Sequence, residues 1–322
     1  MKEYKKFFTI TIIVFIISMI IAPIALINWI DFMIGRHHYS KTADYINYLI
    51  EQKNAKAQEF DEKYGYKIVF FSGSNTLYGI NSKYIHQKTK LPVVNYGIHM
   101  GLEHYIFDEV KKILKPGDIV IMPLEFSIYK ENNPSIPSQL AEYLVTYGKD
   151  YSQKLTPIQK IGLAFYLIRL VIQYHKIEAD PLSEEILSQT NDFGDFVANK
   201  GVVPDIQNNR KYISITEAIP KGTNKNFALY DFIQFCKKND ITLFAAAPFF
   251  YHKNTFTQDE KTAFENIKTF YEKNGVDFIG DIDTGCVFDE KKVYDFGYHA
   301  NDSGQKERSD YFIKILGNLV FI

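Results

Sequence analysis

The chain has 322 residues, 46% of them hydrophobic, and a formal net charge of −1. It is long enough to bury one large core or two small ones, and the composition is too apolar and too weakly charged for a disordered protein. Neither the charge balance nor any lysine-arginine stripe offers a surface for nucleic acid.

The N-terminus differs from the rest of the chain. Lys2, Lys5 and Lys6 precede the run Phe7 to Ile30, which holds no charged side chain. That run exceeds the ~20 residues a helix needs to cross a bilayer, Trp29 stands where an interfacial aromatic would, and the leading lysines favour a cytoplasmic N-terminus. A cleaved signal peptide is the competing reading, but its apolar region is usually about 7–15 residues long and ends at a small-residue site, and "APIALINW" is an imperfect one. The length favours an uncleaved single-pass anchor over residues 1–36, with residues 37–322 outside the cytoplasm in a bacterial-type envelope.

A polar, helical segment from Tyr39 to about Glu62 leads into five short apolar runs: "KIVFFS" (67–72), "PVVNYG" (92–97), "DIVIMPLEF" (118–126), "ITLFAAAPF" (241–249) and "VDFIGD" (276–281). Runs apolar at nearly every position suit strands covered on both faces, hence a parallel sheet. Helical spacing links Leu102, Tyr105, Ile106, Val110 and Ile113, then Ala263, Phe264, Ile267, Phe270 and Tyr271, and finally Tyr311, Phe312, Ile315, Leu316 and Leu319. Strands alternating with such helices predict a doubly wound α/β domain.

More than a hundred residues separate the third and fourth strands, too many for a plain crossover, which predicts a helical insertion over about 128–225. Inside it, residues 157–177 are strongly apolar but interrupted by Lys160, Arg169 and Gln173. This favours a helix packed on the domain or lying on a membrane surface over a second span. Cys236 and Cys286 are the two cysteines. Cys236 shares a helical stripe with Leu229, Phe232 and Ile233, which favours a buried free thiol, although one bridge is possible.

Ligands of doubly wound sheets collect at the carboxyl ends of the strands. Those ends carry Ser72, Gly73, Ser74 and Asn75, then Asn95, Tyr96 and Gly97, then Glu125. Small residues there usually just turn the chain into a helix. Near the C-terminus, however, Asp295 precedes His299 by four residues, with Asn301 and Gly304 following. A serine becomes a useful nucleophile when an imidazole takes its proton and a carboxylate holds that imidazole.

"FSGSNTLYGIN", "VVNYGIH" and "DFGYHANDSG", in this order, resemble the sequence blocks of the SGNH (GDSL-like) hydrolase superfamily. The resemblance runs from about Lys67 to the C-terminus. It is closest to membrane-anchored members that modify envelope polymers, such as teichoic-acid D-alanyl transfer proteins and the alginate-acetylation type that works beside a membrane-bound O-acyltransferase. It implies a flavodoxin-like, three-layer α/β/α domain of about five parallel strands. It also implies Ser74 as nucleophile, with Gly79 five residues on, His299 as base and Asp295 as its partner. The oxyanion hole would be formed by the Ser74 and Gly97 amides. An alternative register would put Asn75 at the nucleophile position and make the protein a non-catalytic relative.

Two departures from the family pattern stand out. The third strand end offers Glu125 in "PLEFS" where the family has an asparagine, and Asp295 precedes its histidine by four residues instead of three, a variant that resembles the envelope-modifying relatives. Asn75, Asn95 and Glu125 are candidates for contacting substrate.

The expectation is a serine esterase or O-acyltransferase acting on an envelope glycan, with no cofactor and no metal. Neither His37 with His38 nor His99 with His104 has helical zinc spacing. "FGDF" (193–196) is either a lid or a structural turn. The rival is a non-catalytic envelope protein binding glycan or an acyltransferase. A nucleotide-binding domain is disfavoured, because the chain carries neither glycine-rich phosphate motif.

Overall fold

The structure is a computed structural model that describes residues 2–34, 40–129, 136–173, 182–202, 213, 215–216 and 228–319. His37, His38, residues 174–177 of the apolar helix and much of the expected insertion lie outside the described residues. In chain order the helices are α1 (Lys2–Met33), α2 (Lys41–Tyr64), α3 (Ser74–Gly79), α4 (Ser82–Thr89), α5 (Tyr105–Lys111), α6 (Ser138–Tyr147), α7 (Pro157–Gln173), α8 (Glu184–Leu187), α9 (Ala228–Lys238), α10 (Gln258–Lys273), α11 (Ile282–Gly285) and α12 (Asp302–Leu319). The strands are β1 (Ile68–Ser72), β2 (Val93–Gly97), β3 (Ile119–Met122), β4 (Thr242–Ala246), β5 (Phe250–Tyr251), β6 (Asp277–Ile279) and β7 (Cys286–Val287).

The chain divides into two compact units. The first comprises residues 1–47 and 133–182, so part of the expected insertion groups with the N-terminal helix; the second comprises residues 48–132 and 183–322. In the first unit, α1 is long and apolar enough to cross a membrane. Helix α7 packs along α1 and against α6, and Tyr147 donates to Asp44 at 2.6 Å.

In the second unit, the five apolar runs form one parallel sheet in the order β2-β1-β3-β4-β6. Every residue of β1 and β2 is buried, as a strand covered on both faces requires. Side chains alternate across β1. Ile68 and Phe70 pack with Ile85 of α4 and with Phe312 and Leu316 of α12, whereas Phe71 meets Phe107 of α5 and Phe232 of α9 at 5.3 and 5.4 Å between ring centroids. Helices therefore cover both faces.

Strand β3 is shorter than its apolar run because Pro123 cannot continue the ladder and the chain turns at once into a 3₁₀ segment over Phe126–Tyr129. At the other end of the sheet, the buried Lys67 ammonium bridges Asp118 and Asp61 at 2.7 and 2.8 Å, and Lys67 N–H donates to Asp118 at 3.0 Å. These bonds tie the starts of β1 and β3 together. The order reverses direction at β1, so the β1 and β3 carboxyl ends flank the crevice where such sheets bind ligands. Cys236 is buried in α9, and both cysteines are unpaired.

Candidate active site

Ser72, last in β1, pairs in register with Gly97, last in β2. Gly73 follows, and Ser74 is the first residue of α3. No side chain of α3's own chain end caps it. Glu125, brought alongside by the turn after β3, does so instead: Oε1 accepts from Asn75 N–H at 2.9 Å, and Oε2 accepts from Gly73 N–H and Ser72 Oγ–H at 3.2 Å each. Asn75 Nδ2 donates to Ser72 Oγ and to Pro123 O at 2.8 and 2.9 Å, which fixes the direction of the chain Asn75 to Ser72 to Glu125. A carboxylate at a helix start answers the unpaired amides there. Burial raises the Glu125 pKa, and the Asn75 and Ser72 hydrogen bonds and the nearby His299 charge only partly offset that effect.

The third contribution comes from the loop before α12. Val293 and Ala300 form an isolated antiparallel bridge. Tyr294 N–H donates to His299 O at 2.8 Å, and His299 N–H to Phe296 O at 2.7 Å. This tight fold brings Asp295 beneath the imidazole four residues later, with Asp295 Oδ1 2.5 Å from His299 Nδ1. His299 Nε2 lies 2.8 Å from Ser74 Oγ. The tautomer that satisfies both contacts carries its proton on Nδ1, donates to Asp295 and accepts from the Ser74 hydroxyl. Behind the loop, the buried Asn301 donates to Lys291 O and accepts from Gly304 N–H at 3.1 Å, capping α12.

Ser74, Asp295 and His299 are partly solvent-accessible. The sequence candidates Ser74, His299 and Asp295 thus meet, and Ser74 faces the imidazole while Asn75 is turned away from it. The other candidates take different positions. Gly97 N–H donates to Asn95 Oδ1 at 2.9 Å, so that amide is occupied and not offered to an oxyanion. What Gly97 supplies is space: a Cβ there would stand 2.1 Å from Leu77 N.

Asn95 is buried, and its Nδ2 donates to Thr76 O and Ile80 O at 3.1 and 2.8 Å, anchoring α3 on β2. Asn75, Asn95 and Glu125 are buried, and these bonds commit the Asn75 and Asn95 amide nitrogens and both Glu125 oxygens to the protein. The Ser74 amide lies between the two amides that Glu125 holds and donates to nothing among the described residues.

Several contributors were missed in the sequence. The Tyr78 ring stacks on His299 at 4.1 Å and 8°, and Phe196 lies 4.4 Å behind Tyr78. Tyr78 is four residues after Ser74, on the same face of α3, and that i, i+4 relation was the available signal. "FGDF" is a structural turn. Asp195 is buried and caps α4 through Ser82 N–H and Lys83 N–H, both at 2.9 Å, and Gly194 sits at φ +75°. The buried Lys53 amine donates to Gly194 O and Asn95 O at 2.7 and 2.8 Å.

His99 is solvent-accessible yet sufficiently surrounded to be partly desolvated, which, ahead of the His299 charge, lowers its pKa. Among the described residues, no three His, Cys, Asp or Glu side chains gather to hold a metal ion. Comparison of the chain with protein-family models, with curated proteins and with solved structures found no match.

Proposed function

We propose that the protein is a membrane-anchored serine esterase or O-acyltransferase of the SGNH kind, acting on a cell-envelope polysaccharide through an acyl-enzyme. The observation that carries this reading is the 2.8 Å contact of Ser74 Oγ with His299 Nε2, with Asp295 2.5 Å from the opposite ring nitrogen. His299 takes the Ser74 proton as Oγ attacks the acyl carbonyl, and Asp295 steadies the imidazolium. The imidazolium then protonates the departing oxygen or sulfur, leaving an ester on Ser74.

A water or glycan hydroxyl, deprotonated by the same imidazole, attacks that ester and releases Ser74. General-base assistance of this kind contributes about 10²–10⁴-fold. The Ser74 amide is the donor available to the developing oxyanion, where one such bond is worth about 3 kcal/mol. In this reading α1 anchors the chain with its lysines on the cytoplasmic side, the site works on envelope polymers outside the cytoplasm, and a membrane-bound O-acyltransferase supplies the acyl groups.

The test is hydrolysis of a p-nitrophenyl acyl ester by the full chain in detergent, with Ser74→Ala, His299→Ala and Asp295→Asn compared. The reading expects loss in all three, and turnover unaffected by Ser74→Ala would end it. A second reading, a non-catalytic protein binding glycan or the acyltransferase, draws on the occupied Gly97 amide and on Glu125 in place of the family's asparagine. It expects glycan or acyltransferase binding that survives Ser74→Ala and no ester turnover.

A further inference from the structure

Helix α7 is apolar on more than one face. Leu163, Ala164 and Leu167 are buried within the first unit. On the other side, Ile158, Phe165 and Ile168 are exposed, Ile158 at 75% and Phe165 at 63%. A helix hydrophobic all round belongs inside a protein or inside a bilayer.

The position of α7 on α1 decides between them. Lys160 Nζ pairs with Asp31 at 2.8 Å, one residue beyond the charge-free run of α1. From that point α7 returns along α1: Ile161 and Phe165 share a groove of about 530 Å³ with Phe15, Ser18, Met19 and Leu26. Phe165 is five residues past Lys160, about 7–8 Å deeper along the helix axis at 1.5 Å per residue. Phe165 therefore stands level with the apolar run of α1. The apolar side chains of α1, from Phe7 to Ile24, are exposed all round, so the medium that surrounds them is one that contacts every side. A single partner helix covers one side; acyl chains cover all of them.

We infer that the Phe165–Ile168 face of α7 is immersed in the acyl chains of the leaflet at the C-terminal end of α1, so that the protein enters the membrane by two helices and not one. The inference rests on α1 being the membrane anchor. The Lys160–Asp31 pair sits at the polar boundary, where each charge neutralises the other. Arg169, exposed nine residues past Lys160, limits the depth, because its guanidinium has to reach headgroup phosphates along its apolar stem. Arg169 lies about 13–14 Å past the boundary along the helix axis and marks the deep limit, so the immersion is confined to one leaflet.

The test uses the full chain with Trp29→Phe, carrying a single new tryptophan by Phe165→Trp or Phe15→Trp, in vesicles of phosphatidylcholine brominated near the middle of its chains. Both exchanges are at exposed positions and leave Leu163, Ala164 and Leu167 untouched. The inference expects both probes to lose most of their emission to the brominated lipid and to resist aqueous acrylamide. Quenching of Phe15→Trp by lipid but of Phe165→Trp by acrylamide would overturn it and leave the anchor standing. A Phe165→Trp probe protected from both quenchers would mean that protein covers this face, which also overturns it. If lipid quenches neither probe, the anchor and the inference fall together.

Discussion

Glu125→Gln tests how the loop bearing Ser74 is held. The substitution keeps the shape of the side chain but replaces one acceptor oxygen with an NH₂ donor. Both oxygens are in use, Oε1 by Asn75 N–H and Oε2 by Gly73 N–H and Ser72 Oγ–H. Whichever way the amide turns, one buried backbone N–H faces another donor. Leaving such a group unsatisfied costs about 1–3 kcal/mol, so the variant should lose roughly 2 kcal/mol of stability.

The loss has a pH signature. Because burial raises the Glu125 pKa, the folded protein holds that proton to a higher pH than the unfolded chain does, and stability falls as pH rises from the unfolded value toward the folded one. The advantage of native Glu125 over Gln is thus greatest at acid pH and shrinks across that window. Urea unfolding of both proteins in detergent over the acid-to-neutral range measures it, and hydrogen exchange of the 70–80 segment should accelerate in the variant. A destabilisation within about 0.5 kcal/mol, the range of ordinary surface changes, would refute the capping role, and an advantage that grows with pH would mean that the hydrogen bonds to the carboxylate outweigh its burial.

Gly97→Ala puts a Cβ 2.1 Å from Leu77 N; backbone is the obstacle, so the cost should reach or pass the upper end of the about 1–3 kcal/mol typical of overpacking, seen as a lowered Tm. Burial pushes the Lys53 amine down to about 7 from 10.5, against a smaller opposing effect of Asp195. The unfolded chain then carries a proton that the folded protein sheds between those values, and stability relative to Lys53→Met should rise with pH across that window, as denaturant titrations at several pH values would record. Tyr78→Ala removes the ring stacked on His299 and should slow serine labelling by about 2–10-fold, the equivalent of an aromatic contact of 0.5–1.5 kcal/mol, while Tyr78→Phe keeps the native rate.

The five strands were legible because each is a short, largely apolar run; β1 and β2 are buried at every residue, whereas β4 and β6 are only partly covered, with Thr242 and Asp277 exposed. Their ends were less so: β3 stops at Met122 and β4 at Ala246, two residues or fewer before Pro123 and Pro248. Ser74, Asp295 and His299 were legible because a serine in a glycine turn and a histidine with a nearby acid carry their chemistry in residue type. Glu125 was not, because an acid at a strand end is usually solvated, and only the fold reveals that the turn after β3 brings it to α3's unpaired amides. The Gly97 amide misled for the opposite reason. Its place at a strand end suggests an open donor, but the Asn95 side chain two residues earlier in β2 accepts from it, a local asparagine-to-backbone pattern that was readable in the sequence.

The most direct test is to label the full-length protein with a fluorophosphonate and locate the adduct by peptide mass spectrometry, with Ser72→Ala and His299→Ala run in parallel. An activated Ser74 predicts the adduct on Ser74, its loss in His299→Ala and its retention in Ser72→Ala, since Ser72 is buried and bonded to Glu125. A folded native protein that takes no label, or one whose labelling survives His299→Ala, would contradict the account.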